Sequence, residues 1–221
     1  MSDPSADPGM STERPRVNDG DFPGKLGDSS SGDNHGRSLQ WDDNDSYIDL
    51  SDNVRSFAGL NEGTISFWIC PEFLDEDMTV FSASNTDDNQ SYFRIMVRDI
   101  GVMQLHVVND GAEVARFYTP SDKTVTHNGS PTMQDWHHVV LVVDQAKSEF
   151  WIDGQLSQSL EYADGAGARR AFFSDVENVN FMAIGRHETS EANATNSYTG
   201  WMDDFYIYDR PLTSDEINFL Y

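Results

Sequence analysis

From residue 36 onward, short apolar runs alternate with clusters of turn-forming residues such as Asn109-Asp110-Gly111. The runs are rich in Val, Ile, Phe, Tyr and Trp, which favour pleated sheets. Predicted strands cover 38–41, 47–50, 63–70, 79–82, 92–97, 103–108, 115–118, 136–143, 149–152, 181–184 and 201–208. Many short strands without intervening helices are typical of an all-β fold, and we expect a two-sheet antiparallel β-sandwich of the jelly-roll type.

One short helix is predicted, at the C-terminal end of the chain. Thr213 followed by Glu216 forms a capping box, which places the helix over residues 214–220. A second helical turn fits residues 174–179. Residues 1–35 are rich in Asp, Ser, Gly and Pro, which predicts a flexible arm or linker before a domain at 36–221.

Alternation within three neighbouring strands predicts a polar sheet face, because successive side chains of a strand point to opposite sides. In the strand at 92–97, Phe93, Ile95 and Val97 would point into the core. The other face would carry polar and aromatic side chains from all three strands: Tyr92, Arg94, Arg98, Gln104, His106, Arg116 and Tyr118. By contrast, the runs 63–70 and 136–143 are almost entirely apolar, as expected for central strands covered on both sides.

Several motifs resemble one known family. They include Gly63-Thr-Ile-Ser-Phe-Trp-Ile-Cys-Pro71, Trp136-His-His-Val-Val-Leu-Val-Val-Asp144, Phe150-Trp-Ile-Asp-Gly154 and Gly200-Trp-Met-Asp-Asp-Phe-Tyr-Ile-Tyr208. Their order and spacing from about Gly36 to Tyr221 resemble the laminin-G-like domains of the concanavalin A-like lectin/glucanase superfamily. The resemblance implies a module of a larger secreted or cell-surface protein, usually non-catalytic, that holds a glycan or a protein. Because some relatives are enzymes, the fold alone does not decide the function.

The charge and the cysteine content limit the kinds of partner and the kinds of site that the chain can have. The chain has 38 acidic and 14 basic residues, a net charge of −24. Such a surface repels phosphate backbones, which argues against nucleic acid and anionic membranes. No apolar run is long enough to insert into a membrane. The single cysteine, Cys70, excludes an internal disulfide and a cysteine-based zinc cluster.

Catalytic motifs are not evident, and we expect no enzymatic activity. A retaining glucanase needs paired carboxylates close together on one strand, such as Glu-x-Asp-x-x-Glu, and no predicted strand carries that pattern. His187-Glu188 lacks the second histidine of a zinc helix. A polysaccharide lyase or glycoside hydrolase of the same fold remains a weaker alternative. The lyase interpretation stays open because the polar face contains Arg, Gln, His and Tyr together.

A structural calcium ion is a further expectation. Asp42 and Asp45 belong to a dense acidic turn, Asp42-Asp43-Asn44-Asp45. The resemblance implies a calcium site where the first strands meet the last one, which carries Asp203 and Asp204. Calcium prefers six to eight oxygen ligands of this kind. The alternative is that Asp203 caps a backbone turn or pairs with Arg210.

The polar face is the expected ligand surface. Sugars stack on aromatic rings and hydrogen-bond to planar polar groups. Arg186, His187 and Trp201 are expected near its rim. Because guanidinium groups match carboxylate and sulfate oxygens, an acidic polysaccharide or other glycan is favoured as the ligand. Two alternatives remain: these arginines could instead neutralise acidic residues on adjacent strands, and the domain could serve protein interaction or adhesion.

Overall fold

The computed structural model describes residues 26–28, 37–41, 46–72, 74, 76–122, 124–125, 136–157, 161–162, 170–190 and 196–221. In chain order the strands are β1 (Leu26–Asp28), β2 (Arg37–Trp41), β3 (Ile48–Asp49), β4 (Gly63–Pro71), β5 (Met78–Ser84), β6 (Tyr92–Val97), β7 (Met103–Asn109), β8 (Ala112–Tyr118), β9 (His137–Val143), β10 (Ser148–Ile152), β11 (Gln155–Leu156), β12 (Glu161–Tyr162), β13 (Phe181–Ile184) and β14 (Gly200–Tyr208). The α-helices in these ranges are α1 (Val54–Phe57) and α2 (Ser214–Leu220).

The strands form two stacked sheets. Sheet A has the order β1-β2-β14-β4-β9-β10-β11, and sheet B has the order β12-β8-β7-β6-β5-β13-β3. Neighbouring strands run antiparallel throughout both sheets. The predicted two-sheet antiparallel sandwich is therefore confirmed.

Every strand predicted from the hydrophobic pattern is present, with ends shifted by a few residues. The short strands β1, β11 and β12 were not predicted, nor was the single turn α1, which continues a 3-10 turn at Ser51–Asn53. The expected C-terminal helix is α2, and a 3-10 turn at Phe173–Asp175 overlaps the second predicted helical turn. Strand β1 falls inside the segment predicted to be an arm, most of which lies outside the described residues, so the division at residue 36 stays a prediction.

The core fills the space between the sheets. Phe67 from sheet A and Phe93, Phe81 and Phe117 from sheet B are fully buried there. The alternation in β6 holds, since Phe93, Ile95 and Val97 are all 0% exposed. Each such side chain contributes about 1.5–3 kcal/mol through burial of apolar surface. The opposite side chains of β6 must therefore lie on the outer face of sheet B.

Helix α2 covers part of the outer face of the other sheet. Leu212 and Ile217 pack against Val140 and Tyr208 of sheet A. The predicted capping box begins this helix, with the Thr213 side chain accepting a hydrogen bond from the Glu216 N–H. No helix in the described part of the chain is long and apolar enough to cross a membrane. The outer faces of the two sheets thus differ: one is packed by a helix, and the other carries the predicted polar residues.

Candidate functional site

Three strands of sheet B bring the predicted polar residues into register. Arg94 on β6 is paired with His106 on β7, which is paired with Arg116 on β8. Side chains that oppose each other in this way have Cβ atoms about 5 Å apart. We call the surface formed by Tyr92, Arg94, His106, Arg116, Arg186 and His187 the arginine face.

A β-bulge adds an acidic residue to this face. The register between β7 and β8 shifts, so that Val107 opposes Ala115 whereas Val108 opposes Glu113. Glu113 and Arg116 are three residues apart and would point to opposite sides of a regular strand, but the extra residue puts both outside. Arg116 Nη2 lies 2.6 Å from Glu113 Oε2, and His106 Nε2 lies 3.3 Å from the same oxygen.

The segment after β13 completes the arginine face, and we call residues 185–188 the strap. Ser82 Oγ donates to the Arg186 carbonyl at 2.7 Å, and Ser84 Oγ donates to the Glu188 carbonyl at 2.6 Å. These two bonds fix the strap across β5. His187 consequently packs edge-on against the Tyr92 ring, with centroids 5.1 Å apart.

Arg186 is held by both charge and aromatic contact. Its Nη2 lies 3.1 Å from Glu188 Oε2, and its Cζ lies 4.6 Å from the centroid of the Tyr47 ring. The cation–π contact and the ion pair together fix the guanidinium group. Its side chain is only 15% exposed. Neither Tyr47 nor Glu188 was predicted to belong to the site.

The remaining predicted ligand residues lie apart from this cluster. Arg98 follows β6 and donates to Asp77 Oδ1 at 2.7 Å and to Gln104 Oε1 at 3.0 Å. This second polar network lies close enough for the charges of Asp77 and Arg98 to act on Arg94. Tyr118 is the register partner of Gln104. Trp201 is not on this face, contrary to the expectation that it lies near the rim. It belongs to β14 of sheet A, and since its neighbour Met202 points into the core, Trp201 points out of sheet A.

Most of these arginines have carboxylate partners, as the alternative interpretation expected. Arg98, Arg116 and Arg186 pair with Asp77, Glu113 and Glu188, respectively. Arg94 differs: within the described ranges no carboxylate forms an ion pair with it. Its guanidinium carbon lies 5.5 Å from the centroid of the Tyr92 ring. Burial lowers the pKa of Arg94 from its usual value, yet an arginine remains charged in proteins.

Buried polar atoms without hydrogen-bond partners are concentrated on the arginine face. In the part of the chain that the structure describes, they include Nε of Arg94, Nε of Arg116, Nε of Arg186 and Nδ1 of His187. Buried polar groups are nearly always hydrogen-bonded in folded proteins, so each exception requires an explanation. With Nε2 of His106, five such atoms lie on this face, so the fold leaves much of the polar capacity of the arginine face unsatisfied.

The two histidines of the face are neutral at pH 7. Burial, followed by the charges of Arg94 and Arg116, lowers the pKa of His106 to about 4. Burial, Arg94 and His106 lower the pKa of His187 to about 3. Burial also raises the pKa of the Tyr92 hydroxyl. The face therefore holds three guanidinium groups against the carboxylates of Glu113 and Glu188, a surplus of one positive charge in a chain of net charge −24.

The predicted calcium ligands are not brought together by the described residues. Asp204 N–H donates to Asp203 Oδ1 at 2.9 Å, within a bulge of β14, and Asp42 and Asp45 lie outside the described residues. Trp41, the last described residue before them, pairs with Gly200 of β14. Gly200 is three strand residues from Asp203, which corresponds to about 10 Å. The ranges that are described contain no group of three or more His, Cys, Asp or Glu side chains suited to a metal ion. The calcium site stays a prediction.

The comparison with known families agrees with this architecture. A sequence model described as the concanavalin A-like lectin/glucanases superfamily matches residues 42–218. The chain belongs to this superfamily. No curated protein sequence matches this superfamily member significantly, whereas many solved structures do.

Solved sandwich domains share the fold at low sequence identity. The Ruminococcus gnavus IT-sialidase CBM40 bound to α2,6-sialyllactose is 16% identical with a TM-score of 0.68, covering 83% of this chain and 95% of that chain. The leech intramolecular trans-sialidase complexed with 2,7-anhydro-Neu5Ac is 17% identical with a TM-score of 0.66, covering 82% and 26%. The NanB sialidase of Streptococcus pneumoniae is 16% identical with a TM-score of 0.65, covering 81% and 27%. At such identities the similarity establishes the fold.

Proposed function

We propose that this domain is a non-catalytic carbohydrate-binding module of a secreted or cell-surface protein, and that it binds an acidic sugar at the arginine face. The observation that carries the proposal is the guanidinium group of Arg94, which lies over the Tyr92 ring and forms no ion pair with a carboxylate among the described residues, whereas Arg116 and Arg186 do. A ligand carboxylate would supply the missing partner. An anionic sugar also balances the surplus positive charge of the face, which a neutral sugar does not.

Five of the six residues of the face have a distinct part in this proposal. Arg94 supplies the uncompensated charge and its Nη groups form a fork that suits a carboxylate. Arg116 and Arg186 are held in place by Glu113 and Glu188 and offer their remaining donors. The neutral rings of Tyr92 and His187 form an apolar wall against which a sugar ring can pack.

The solved neighbours support this choice of ligand. One of them is a carbohydrate-binding module with bound sialyllactose, a sugar that carries a carboxylate. A protein-interaction or adhesion domain would be expected to present a flat, uncharged contact face, whereas this face carries three guanidinium groups and two carboxylates. A lyase would use a tyrosine or histidine as base. Burial raises the pKa of Tyr92, which makes its hydroxyl a poor base, and the assay for unsaturated sugar ends described below tests the two histidines.

Calorimetric titration with 3′-sialyllactose, glucuronate oligosaccharides and lactose tests the proposal. We expect saturable binding of an acidic sugar and none of lactose. Arg94→Ala should weaken binding roughly 10- to 100-fold, because a charge-assisted hydrogen bond contributes about 1.5–3 kcal/mol. Arg55→Ala is the matched control, since Arg55 is exposed on α1. Equal affinity for acidic and neutral sugars, or an unchanged affinity in Arg94→Ala, would contradict the proposed site.

The same mixtures should be assayed for reducing ends and for unsaturated sugar ends. We expect neither to accumulate. Release of reducing ends would contradict a non-catalytic module and favour the hydrolase alternative. Release of unsaturated ends would favour the lyase alternative.

A further inference from the structure

His106 lies at the centre of the arginine face, and charged or titratable groups surround it. From β6, Tyr92 and Arg94 face the imidazole, and from β8, Glu113 and Arg116 do so. From the strap, His187 faces it across the Tyr92 ring. The side chain of His106 is only 13% exposed, so these neighbours rather than bulk water determine its protonation.

The free protein disfavours a proton on this ring. Burial and the two flanking guanidinium groups lower the pKa of His106 to about 4, although Glu113 acts in the opposite direction. The pKa of His187 is lower still, about 3, so His187 stays neutral above that pH. His106 also lies in register between Arg94 and Arg116, so it is the histidine of the face on which an anion held by these two arginines acts most directly.

We propose that an anionic sugar binds the arginine face together with one proton, which His106 takes up from solution. This inference rests on the proposed function. An anion held between Arg94 and Arg116 cancels the repulsion that the two guanidinium groups exert on the imidazolium ion. An oxygen also lies near each ring nitrogen: Nδ1 is 3.4 Å from the Tyr92 hydroxyl, and Nε2, which has no hydrogen-bond partner in the free protein, is 3.3 Å from Glu113 Oε2.

The direction of the pH dependence is set by this coupling. At a pH well above the pKa of His106 in the complex, neither state holds the proton and the affinity is constant. As the pH falls below that value, the complex takes up the proton and the free protein does not, so binding tightens. A neighbouring anion raises a pKa by about 1–3, and from a free value of about 4 this makes binding roughly 2- to 50-fold tighter at pH 5 than at pH 7, about 9-fold for a rise of 2.

A sugar carboxylate alone would produce the opposite trend. Its own pKa lies near that of an α-carboxyl group, about 3.5. Acidification can therefore only remove charge from the ligand and weaken its binding. Tighter binding in mild acid is thus specific to proton uptake by the protein.

The experiment is calorimetric titration of the full chain with 3′-sialyllactose at pH 7, 6 and 5, with near-ultraviolet circular dichroism confirming the fold at each pH. Pairs of buffers with different ionisation heats measure the protons taken up. We expect the affinity increase given above, with uptake of about half a proton or more at pH 5.

His106→Asn should bind with a pH dependence below about twofold, as expected when the ring is absent. His137→Asn is the matched control, because His137 is bonded to Asp153 in sheet A, and it should keep the wild-type trend.

The outcomes separate the two proposals. If no acidic sugar binds at pH 7 or at pH 5, the proposed function is wrong. If sialyllactose binds equally well at both and no proton is taken up, only the proton coupling is wrong. Should His106→Asn bind nothing, NMR titration of the wild-type His106 ring decides: its pKa must rise when the sugar is present, and an unchanged pKa overturns the inference.

Discussion

Acid should destabilise this domain through the same two histidines, even without a ligand. His106 and His187 are buried as neutral rings, with pKa values lowered from 6.5 to about 4 and about 3. When the chain unfolds, each ring regains its ordinary pKa. Between pH 6.5 and the folded-state value the unfolded chain binds more protons, so the free energy of unfolding falls as the pH falls.

The size of this effect can be worked out from the pKa values. Each pH unit between 6.5 and the folded-state pKa costs about 1.4 kcal/mol for a group that must remain neutral. His187 therefore destabilises the fold by about 3 kcal/mol at pH 4 relative to pH 7, and His106 by about the same amount. Domains of this kind have a total stability of about 5–15 kcal/mol, so together the two rings remove a substantial part of it.

Urea unfolding followed by tryptophan fluorescence at pH 7, 5 and 4 measures this loss for the parent chain and for His187→Asn. The variant should lose about 3 kcal/mol less than the parent between pH 7 and pH 4, whatever its stability at pH 7. His187→Leu serves as a second variant in case the amide packs poorly. His137→Asn should not diminish the loss, because it leaves both buried rings in place. If both His187 variants lose as much stability in acid as the parent, His187 is not a buried neutral histidine and the reasoning fails.

Two further predictions concern the strap and the calcium site. Gly185 has a φ of +87°, and a Cβ there would lie 2.5 Å from Trp41 Nε1, so Gly185→Ala should lower the free energy of unfolding by about 2–4 kcal/mol. Gly59→Ala is the control, because Gly59 has open space around it, and it should change the free energy of unfolding by less than about 0.5 kcal/mol. Equal effects of the two substitutions would contradict the close packing at Gly185. For the calcium site predicted from Asp42, Asp45, Asp203 and Asp204, differential scanning fluorimetry should show a higher Tm in Ca²⁺ than in EGTA, and identical values would dismiss the site.

The strands and the composition of the polar face could be predicted from the sequence because both follow local rules. Alternation with period two identifies which side chains of β6 and β7 point outward, whatever strands surround them. The register then brings Arg94, His106 and Arg116 together, as the three predicted neighbouring strands required. The capping box of α2 is equally local.

Features that depend on irregular geometry or distant contacts could not be predicted in this way. Glu113 reaches the face only because a bulge shifts the alternation of β8. In a regular strand with Arg116 pointing outward, Glu113 would point into the core. The strap depends on bonds from Ser82 and Ser84 to residues 104 positions away. Trp201 was expected near the wrong surface. The alternation within its strand shows which side chains point the same way, but it does not show to which of the two sheets the strand belongs.

The way in which the strap is attached has a consequence for how binding preference could diversify. Ser82 and Ser84 hold main-chain carbonyl oxygens, not the side chains of Arg186 and Glu188. These two hydrogen bonds therefore do not depend on the side chains at positions 186 and 188. Substitutions at positions 186 and 188 should therefore leave the strap in place while varying the groups at the edge of the arginine face, whereas His187 is buried and less tolerant of change.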